Sequence, residues 1–254
     1  MPSENHERRI LLPLTLLIAA LWIPATVDYL LMRWMLIGLG MAFGLTMAVT
    51  AAPSTSLTRW HAGLFIMYLV HQFEEHGVDF LGRHYAFIDD INKTMGAKLG
   101  CGDALLCPMT PYAIMMVNTW VVWLPMVLAL FLGERRVGIG IIAAGVPAVN
   151  GPVHIISSII HQEYNPGVVT SIILFVPICI AYYRMVQPLL ENPRRMIMLS
   201  VFYGVIVHVL LMGLAKPILV DHRLDAHFYG LAMFLLGFLP VVMGARGITI
   251  RRVV

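Results

Sequence analysis

Charge is scarce in this sequence: Asp, Glu, Lys and Arg make up 12% of its 254 residues, against 59% hydrophobic residues. A soluble domain carries about 25% charged residues, so the composition excludes an ordinary water-soluble fold and indicates a polytopic membrane protein. The formal net charge is only +3 and the basic residues are scattered. That excludes a concentrated nucleic-acid footprint, and no nucleic-acid partner is expected. Cysteine is limited to three residues, none near the polar positions singled out below, which leaves no iron–sulfur site. The two histidines four apart with an adjacent glutamate that mark a zincin are absent. So are the carboxylate-poor histidine clusters of membrane desaturases, internal repeats and low-complexity tracts. The 17 methionines read as packing and lipid-facing residues rather than as a copper site.

What the chain does have is long apolar runs. Runs of about 20 residues suit bilayer crossings, and they fall at 10–29, 34–52, 57–79, 111–132, 137–160, 167–186, 196–215 and 227–244. The expected fold is all-α, one transmembrane helical bundle over 1–254 with about eight spans. Arg8 and Arg9 precede the first run as they would in a signal peptide, but no small-residue cleavage site follows and the run is kept as a helix. With eight spans and the N-terminus inside, eleven of the 17 Lys and Arg fall on the cytoplasmic side and six opposite. Retained loops carry the basic excess, so both termini are placed in the cytoplasm; a seven-span count would break this alternation. A bacterial inner membrane is the expected location, with the bilayer as partner.

The longest connection, 80–110, then lies outside as a cap or lid. It holds Cys101 and Cys107, which an oxidising compartment would allow to pair, although two free thiols fit the sequence equally.

The third run carries His71, Glu74, Glu75 and His76 on two successive turns. Ionisable groups at membrane depth are costly and mark function. His71, Glu74 and Glu75 stand at i, i+3 and i+4 and share one face, whereas His76 points away from it. At about 1.5 Å per residue, His71 lies about 18 Å along its helix from Arg59, and Glu74 and Glu75 about 23 Å. By the same count Asn150 is about 21 Å and His154 about 27 Å from Arg136, His208 about 20 Å from Arg195, and Asn118 about 25 Å from Arg135. Polar residues of four helices therefore occupy one slab in the outer half of the bilayer. The fifth run continues the pattern with Asn150, His154, Ser157, Ser158 and His161, and Pro147 and the Gly151-Pro152 pair are expected to break that helix.

Imidazole and carboxylate are ligands for Zn, Fe and Mn. The candidate ligands are His71, Glu74, Glu75, His154, His161 and His208, enough for one metal and a base or for two metals. Glu74 or Glu75 is the candidate general base, and Asn150 or Tyr164 the group that polarises substrate.

Three segments in order, His71-Gln72-Phe73-Glu74-Glu75, Asn150-Gly151-Pro152-Val153-His154 and Tyr164-Asn165-Pro166-Gly167, resemble the motifs of the HXXEE integral membrane proteins, a family without a settled reaction. The resemblance covers about 68–170. It implies metal-binding or catalytic roles for His71, Glu74, Glu75, Asn150, His154, Tyr164, Pro166 and Gly167; Pro152 departs from the pattern. The function expected is a membrane metalloenzyme holding a divalent metal, Zn or Fe, and acting on a lipid or small apolar substrate, with hydrolysis favoured over di-iron oxidation. The alternative is a cation- or proton-coupled transporter using the same cluster, and a third reading is a structural subunit whose polar residues fix helix packing.

Overall fold

The computed structural model describes residues 34–51, 56–101, 107–132 and 137–245. The first expected span and both termini lie outside these residues. Among the described residues the fold is all-α with eight helices. Helix α1 is Trp34–Ala51, α2 is Ser56–His76 and α3 is Ala86–Leu99. Helix α4 begins as Pro111–Met116, widens into a π-helical stretch at Val117–Trp123 and ends as Leu124–Leu132. Helix α5 comprises Val137–Ala143 and Gly145–His161. Helix α6 starts at Val168–Thr170, passes through a π-helical stretch Ser171–Phe175 and continues as Val176–Val186. Helix α7 is Pro193–Ala215 with a π-helical end Lys216–Val220, and α8 is Ala226–Ala245.

Five of these helices, α4 to α8, are long and apolar enough to cross a membrane, and Gly38–Thr50 is a shorter apolar helix. Large apolar side chains on their outer faces, among them Ile156, Ile159 and Ile160 on α5 and Phe202, Val205 and Val209 on α7, are exposed. In water such a surface would be an aggregation liability; against lipid it is the expected outer face. Helix α2 has the length of a span but carries Arg59, Glu74 and Glu75, and 14 of its 21 residues are buried. Four helices, α1, α3, α4 and α6, pack on it.

Close helix approach depends on small residues, as is usual within a bilayer. Helices α5 and α7 cross at Gly145 and Gly204, where a Cβ on Gly204 would lie 2.1 Å from the Gly145 carbonyl oxygen and one on Gly145 1.7 Å from that of Ser200. The Ser200 hydroxyl, itself bonded to Tyr183, reaches the Ile141 carbonyl across this crossing.

The expected break in α5 occurs, but three residues before Pro147, at Ala144. Proline at 147 has no N–H for the carbonyl of residue 143, so the ladder loses a bond there. Pro152, by contrast, is accommodated inside the helix. The 80–110 connection contains α3, and Cys101 and Cys107 are joined by a disulfide with Cα atoms 5.7 Å apart. An Asp79–Arg83 pair closes the turn before α3: the Arg83 Nε donates to Asp79 at 2.8 Å, and the Asp79 carboxylate also accepts the backbone N–H groups of Leu81 and Arg83.

Candidate metal centre

Two helices and one tight turn bring the site together. Helix α2 supplies His71 and Glu75, a pair one turn apart; α5 supplies His154; and the turn 162–167 carries the chain back from α5 to α6. One ligand atom from each of His71, Glu75 and His154 lies within 4.8 Å of the others, and all three residues are buried. The Nε2 atoms of His71 and His154 are 3.5 and 3.0 Å from Glu75 Oε1. The two rings meet edge to face with centroids 5.0 Å apart, well inside one coordination sphere.

The outer nitrogens of both rings are already committed. His71 Nδ1 is 2.7 Å from Thr170 Oγ1, and His154 Nδ1 is hydrogen-bonded to Asn165 Oδ1. A ring that donates through Nδ1 keeps a lone pair on Nε2, which is how metal-ligating histidines are normally oriented. Phe175 packs on His71 with ring centroids 4.0 Å apart and fixes its plane.

Glu74 points elsewhere. Its Oε1 accepts from the Tyr164 hydroxyl at 2.8 Å and from Val169 N–H at 3.2 Å; its Oε2 accepts from Thr170 N–H at 2.8 Å and from the Thr170 hydroxyl. Four donors occupy the lone-pair directions of both oxygens. Tyr164 in turn accepts from Phe80 N–H at 3.2 Å. Burial and the Glu74 contact push the Tyr164 phenol above its ordinary value, so it serves as a donor here.

The turn itself is shaped by Gly167. With φ +95° this residue is in the left-handed region, and a Cβ there would sit 2.8 Å from His71 Cε1, 2.9 Å from His154 Cε1 and 3.1 Å from Glu75 Cγ. Only glycine can place the chain against both imidazoles.

A cavity of about 610 Å³ adjoins the cluster. Glu75, His76, Asn118, Asn150, His154 and His208 line it near the cluster, Asp90, Lys93, Lys98 and Glu163 line it farther out, and apolar residues including Tyr68, Phe87, Ile114, Val117, Val207 and Leu211 make up much of the rest. Beyond the Gly145–Gly204 crossing both α5 and α7 line it, α5 through Val153 and Ser157 and α7 through Leu211 and Met212. Val153, one of these lining residues, is 46% exposed. Helix α3 covers another side with Phe87, Ile91, Met95 and Lys98. Asn118 stands on the π-helical stretch of α4, a distortion often found beside functional sites.

Of the sequence candidates, the structure brings His71, Glu75 and His154 to one point. Asn150 touches that point, its side-chain amide bridging His71 Nε2 at 3.2 Å and His208 Nε2 at 3.0 Å. Glu74 and Tyr164 stand behind His71, linked to it through Thr170. His161 is exposed at the cavity rim, where its Nδ1 meets the Ser157 carbonyl at 2.9 Å. His76, on the other side of Glu75, has Nε2 3.4 Å from Glu75 Oε2 and lines the cavity. Sequence reasoning missed Thr170 and Asn165. Asn165 lies inside a recognised motif and had a signal; a lone threonine at the start of an apolar helix had none.

A family model described as protein of unknown function with HXXEE motif matches residues 60–182. No curated protein and no solved structure matches the chain.

Proposed function

Since residues 60–182 belong to the HXXEE family, we propose that this protein is a membrane-embedded metalloenzyme whose divalent ion is held by His71, Glu75 and His154. The observation that carries this reading is the direction of the protons. Both rings spend their N–H on outward partners, Thr170 and Asn165, and leave lone pairs facing the carboxylate oxygen of Glu75. A cluster evolved for helix packing alone would pair donors with acceptors; with both rings neutral this one aims acceptors at an acceptor, a set that a divalent ion completes and that a proton making one ring an imidazolium would complete instead. Two of the three separations are close to those of ligands on one ion: at ~2.1 Å from the ion and ~90–110° apart, ligands are ~3.0–3.4 Å from one another, against 3.0 and 3.5 Å to Glu75 Oε1 here. Two imidazoles and one carboxylate suit Zn, Fe or Mn.

Such an ion acts as a Lewis acid on a carbonyl or phosphoryl oxygen and favours ionisation of water at neutral pH. The chain's own groups do the rest. Glu75 offers Oε1 to the centre while His76 stays beside Oε2, a pair placed to take up and pass on a proton. Glu74, Tyr164 and Thr170 hold His71 in the orientation the centre needs. The apolar walls beside the cluster suit a lipid or small apolar substrate, while Asp90, Lys93, Lys98 and Glu163 line the cavity on its charged side. Hydrolysis is the reaction this set supports best, since one ion and a water suffice for it and it needs no reductant.

A transporter would use the same residues, but the interruption of α5 is at Ala144, ten residues and about 15 Å along the helix from His154. The cluster thus lies within continuous helix, where Pro152 leaves the Ala148 carbonyl alone without its ladder donor. Metal analysis of the detergent-purified protein tests the proposal: one divalent ion per chain is expected in the wild type and none in the His71→Ala, Glu75→Ala double variant. A wild type without metal, or a double variant that keeps it, would remove the reading.

A further inference from the structure

We propose that the side-chain oxygen of Asn150 is a fourth ligand of this centre, and that His208, on α7 and beyond the family-matched region, is the positioning residue that turns it there. The inference rests on the metal reading above and deepens it.

It follows from counting protons along two hydrogen-bond chains. In the first, the Glu74 carboxylate is acceptor only and takes the Thr170 hydroxyl besides Tyr164, Val169 and the Thr170 backbone, so that contact uses the hydroxyl's single proton. Thr170 Oγ1 can then only accept from His71 Nδ1, 2.7 Å away, and His71 Nε2 carries a lone pair. In the second, His208 Nδ1 is 2.7 Å from the Gly204 carbonyl oxygen. That oxygen is an acceptor only, so Nδ1 carries the proton and Nε2 of the neutral ring is also an acceptor. A second proton on this ring would place a cation on an apolar span, at considerable cost.

Asn150 lies between these two lone pairs. Its amide ends are alike in shape and are distinguished by the hydrogen-bond network. With its oxygen toward His208, two acceptors would face each other at 3.0 Å. With its NH₂ toward His208 that contact is a hydrogen bond, and Oδ1 comes to His71 Nε2 at 3.2 Å. Two lone pairs at that distance repel unless a cation lies between them, and 3.2 Å is the span of two ligands ~2.1 Å from one ion at ~100°. His71 Nε2, Glu75 Oε1, His154 Nε2 and Asn150 Oδ1 then form a single set of four converging donors. Four protein donors close a tetrahedral site, so substrate would need a five- or six-coordinate ion or the release of the neutral amide, the weakest donor of the four.

Cobalt(II) titration of the full chain in detergent, read by affinity and by the visible absorption of the bound ion, tests this. Asn150→Leu and His208→Leu should each weaken binding about 10–100-fold and alter the spectrum in the same way. Asn150→Asp, which keeps an oxygen, and His208→Gln, which keeps an acceptor for the NH₂, should restore the wild-type spectrum. Unchanged affinity and spectrum in both leucine variants overturn the fourth ligand and leave the three-residue site standing. If His208→Leu alone matches the wild type, its positioning role is overturned. A wild type that binds no cobalt overturns the metal reading and this inference together.

Discussion

Gly167 offers the sharpest test of the cluster, because its substitution has two costs that fall on different quantities. At φ +95°, a residue with a Cβ is strained by about 1–2 kcal/mol whether or not metal is present. The new methyl would also lie 2.8 and 2.9 Å from the Cε1 atoms of His71 and His154. Without metal each ring is held only through Nδ1 and its packing and can pivot in its plane; with metal Nε2 is pinned as well, so overpacking of about 1–3 kcal/mol weighs more on the metal-bound state. Gly167→Ala should therefore lower thermal stability modestly and lower metal affinity by about 5- to 150-fold. Gly82→Ala is the control: φ there is +76°, and nothing lies within 4 Å of a Cβ, so only the backbone cost applies and metal affinity stays at the wild-type level. Isothermal titration with Zn(II) or Mn(II), beside thermal unfolding in the same detergent, separates the two effects. If Gly167→Ala binds metal as the control does, within about threefold, the turn is not packed against ligands and the argument is refuted.

The other expectations concern the groups around the centre. Thr170→Val keeps the shape of the side chain but leaves His71 Nδ1 without its acceptor, so metal affinity should fall about 10–100-fold with little change in fold; titration of the purified variant checks it. Glu74→Gln turns one acceptor of a filled carboxylate into a donor facing donors, which should cost about 1–3 kcal/mol of stability, while metal content at saturation remains that of the wild type. Full loss of metal on this change would instead make Glu74 a ligand. Glu75→Gln should abolish metal binding yet raise the unfolding temperature of the metal-free protein, since an NH₂ can donate to the Nε2 of either imidazole; a lowered temperature would argue against converging lone pairs. At the α5–α7 crossing, Gly204→Val would drive a Cβ to 2.1 Å from the Gly145 carbonyl, and unfolding in detergent should show a loss of about 3 kcal/mol or more.

Much of this was legible in the sequence because helices long and apolar enough to cross a membrane follow simple rules. The apolar runs at 34–52, 57–79 and 111–132 mark α1, α2 and α4 closely, since a bilayer sets helix length by hydrophobic thickness. The convergence of α2 and α5 followed from the depth of their polar residues. What spacing could not assign was which of two adjacent glutamates serves the centre. Glu74 and Glu75 are about 100° apart on the helix, near enough to share a face on paper, yet Glu75 turns to His71 and His154 while Glu74 turns to the N-terminus of α6. That division depends on where the 162–167 turn delivers Thr170, a tertiary fact with no local signature. The π-helical stretches at Val117–Trp123 and Ser171–Phe175 were equally hidden, because nothing in an apolar run announces one extra residue in a turn.

The arrangement also explains why a helix as polar as α2 is retained in an apolar bundle. An isolated carboxylate or imidazole at this depth would cost several kcal/mol, and α2 carries His61, His71, Glu74, Glu75 and His76, all buried. His61 is a settled structural case: Nδ1 meets the Ala129 carbonyl at 3.1 Å and Nε2 the Tyr182 hydroxyl at 3.2 Å, so each nitrogen has a partner of ordinary chemistry. Glu74 is settled in the same sense, with four donors. His71 and Glu75 are different, because after every neighbouring proton is assigned their facing atoms are both acceptors. Two histidines on one helix, ten residues apart, thus separate packing from function by a single criterion: whether the protons supplied by the protein are enough to complete the contacts. At His61 they are. At His71 and His154, with both rings neutral, they fall short at the same Glu75 oxygen, and metal analysis decides between a divalent ion and one further proton there.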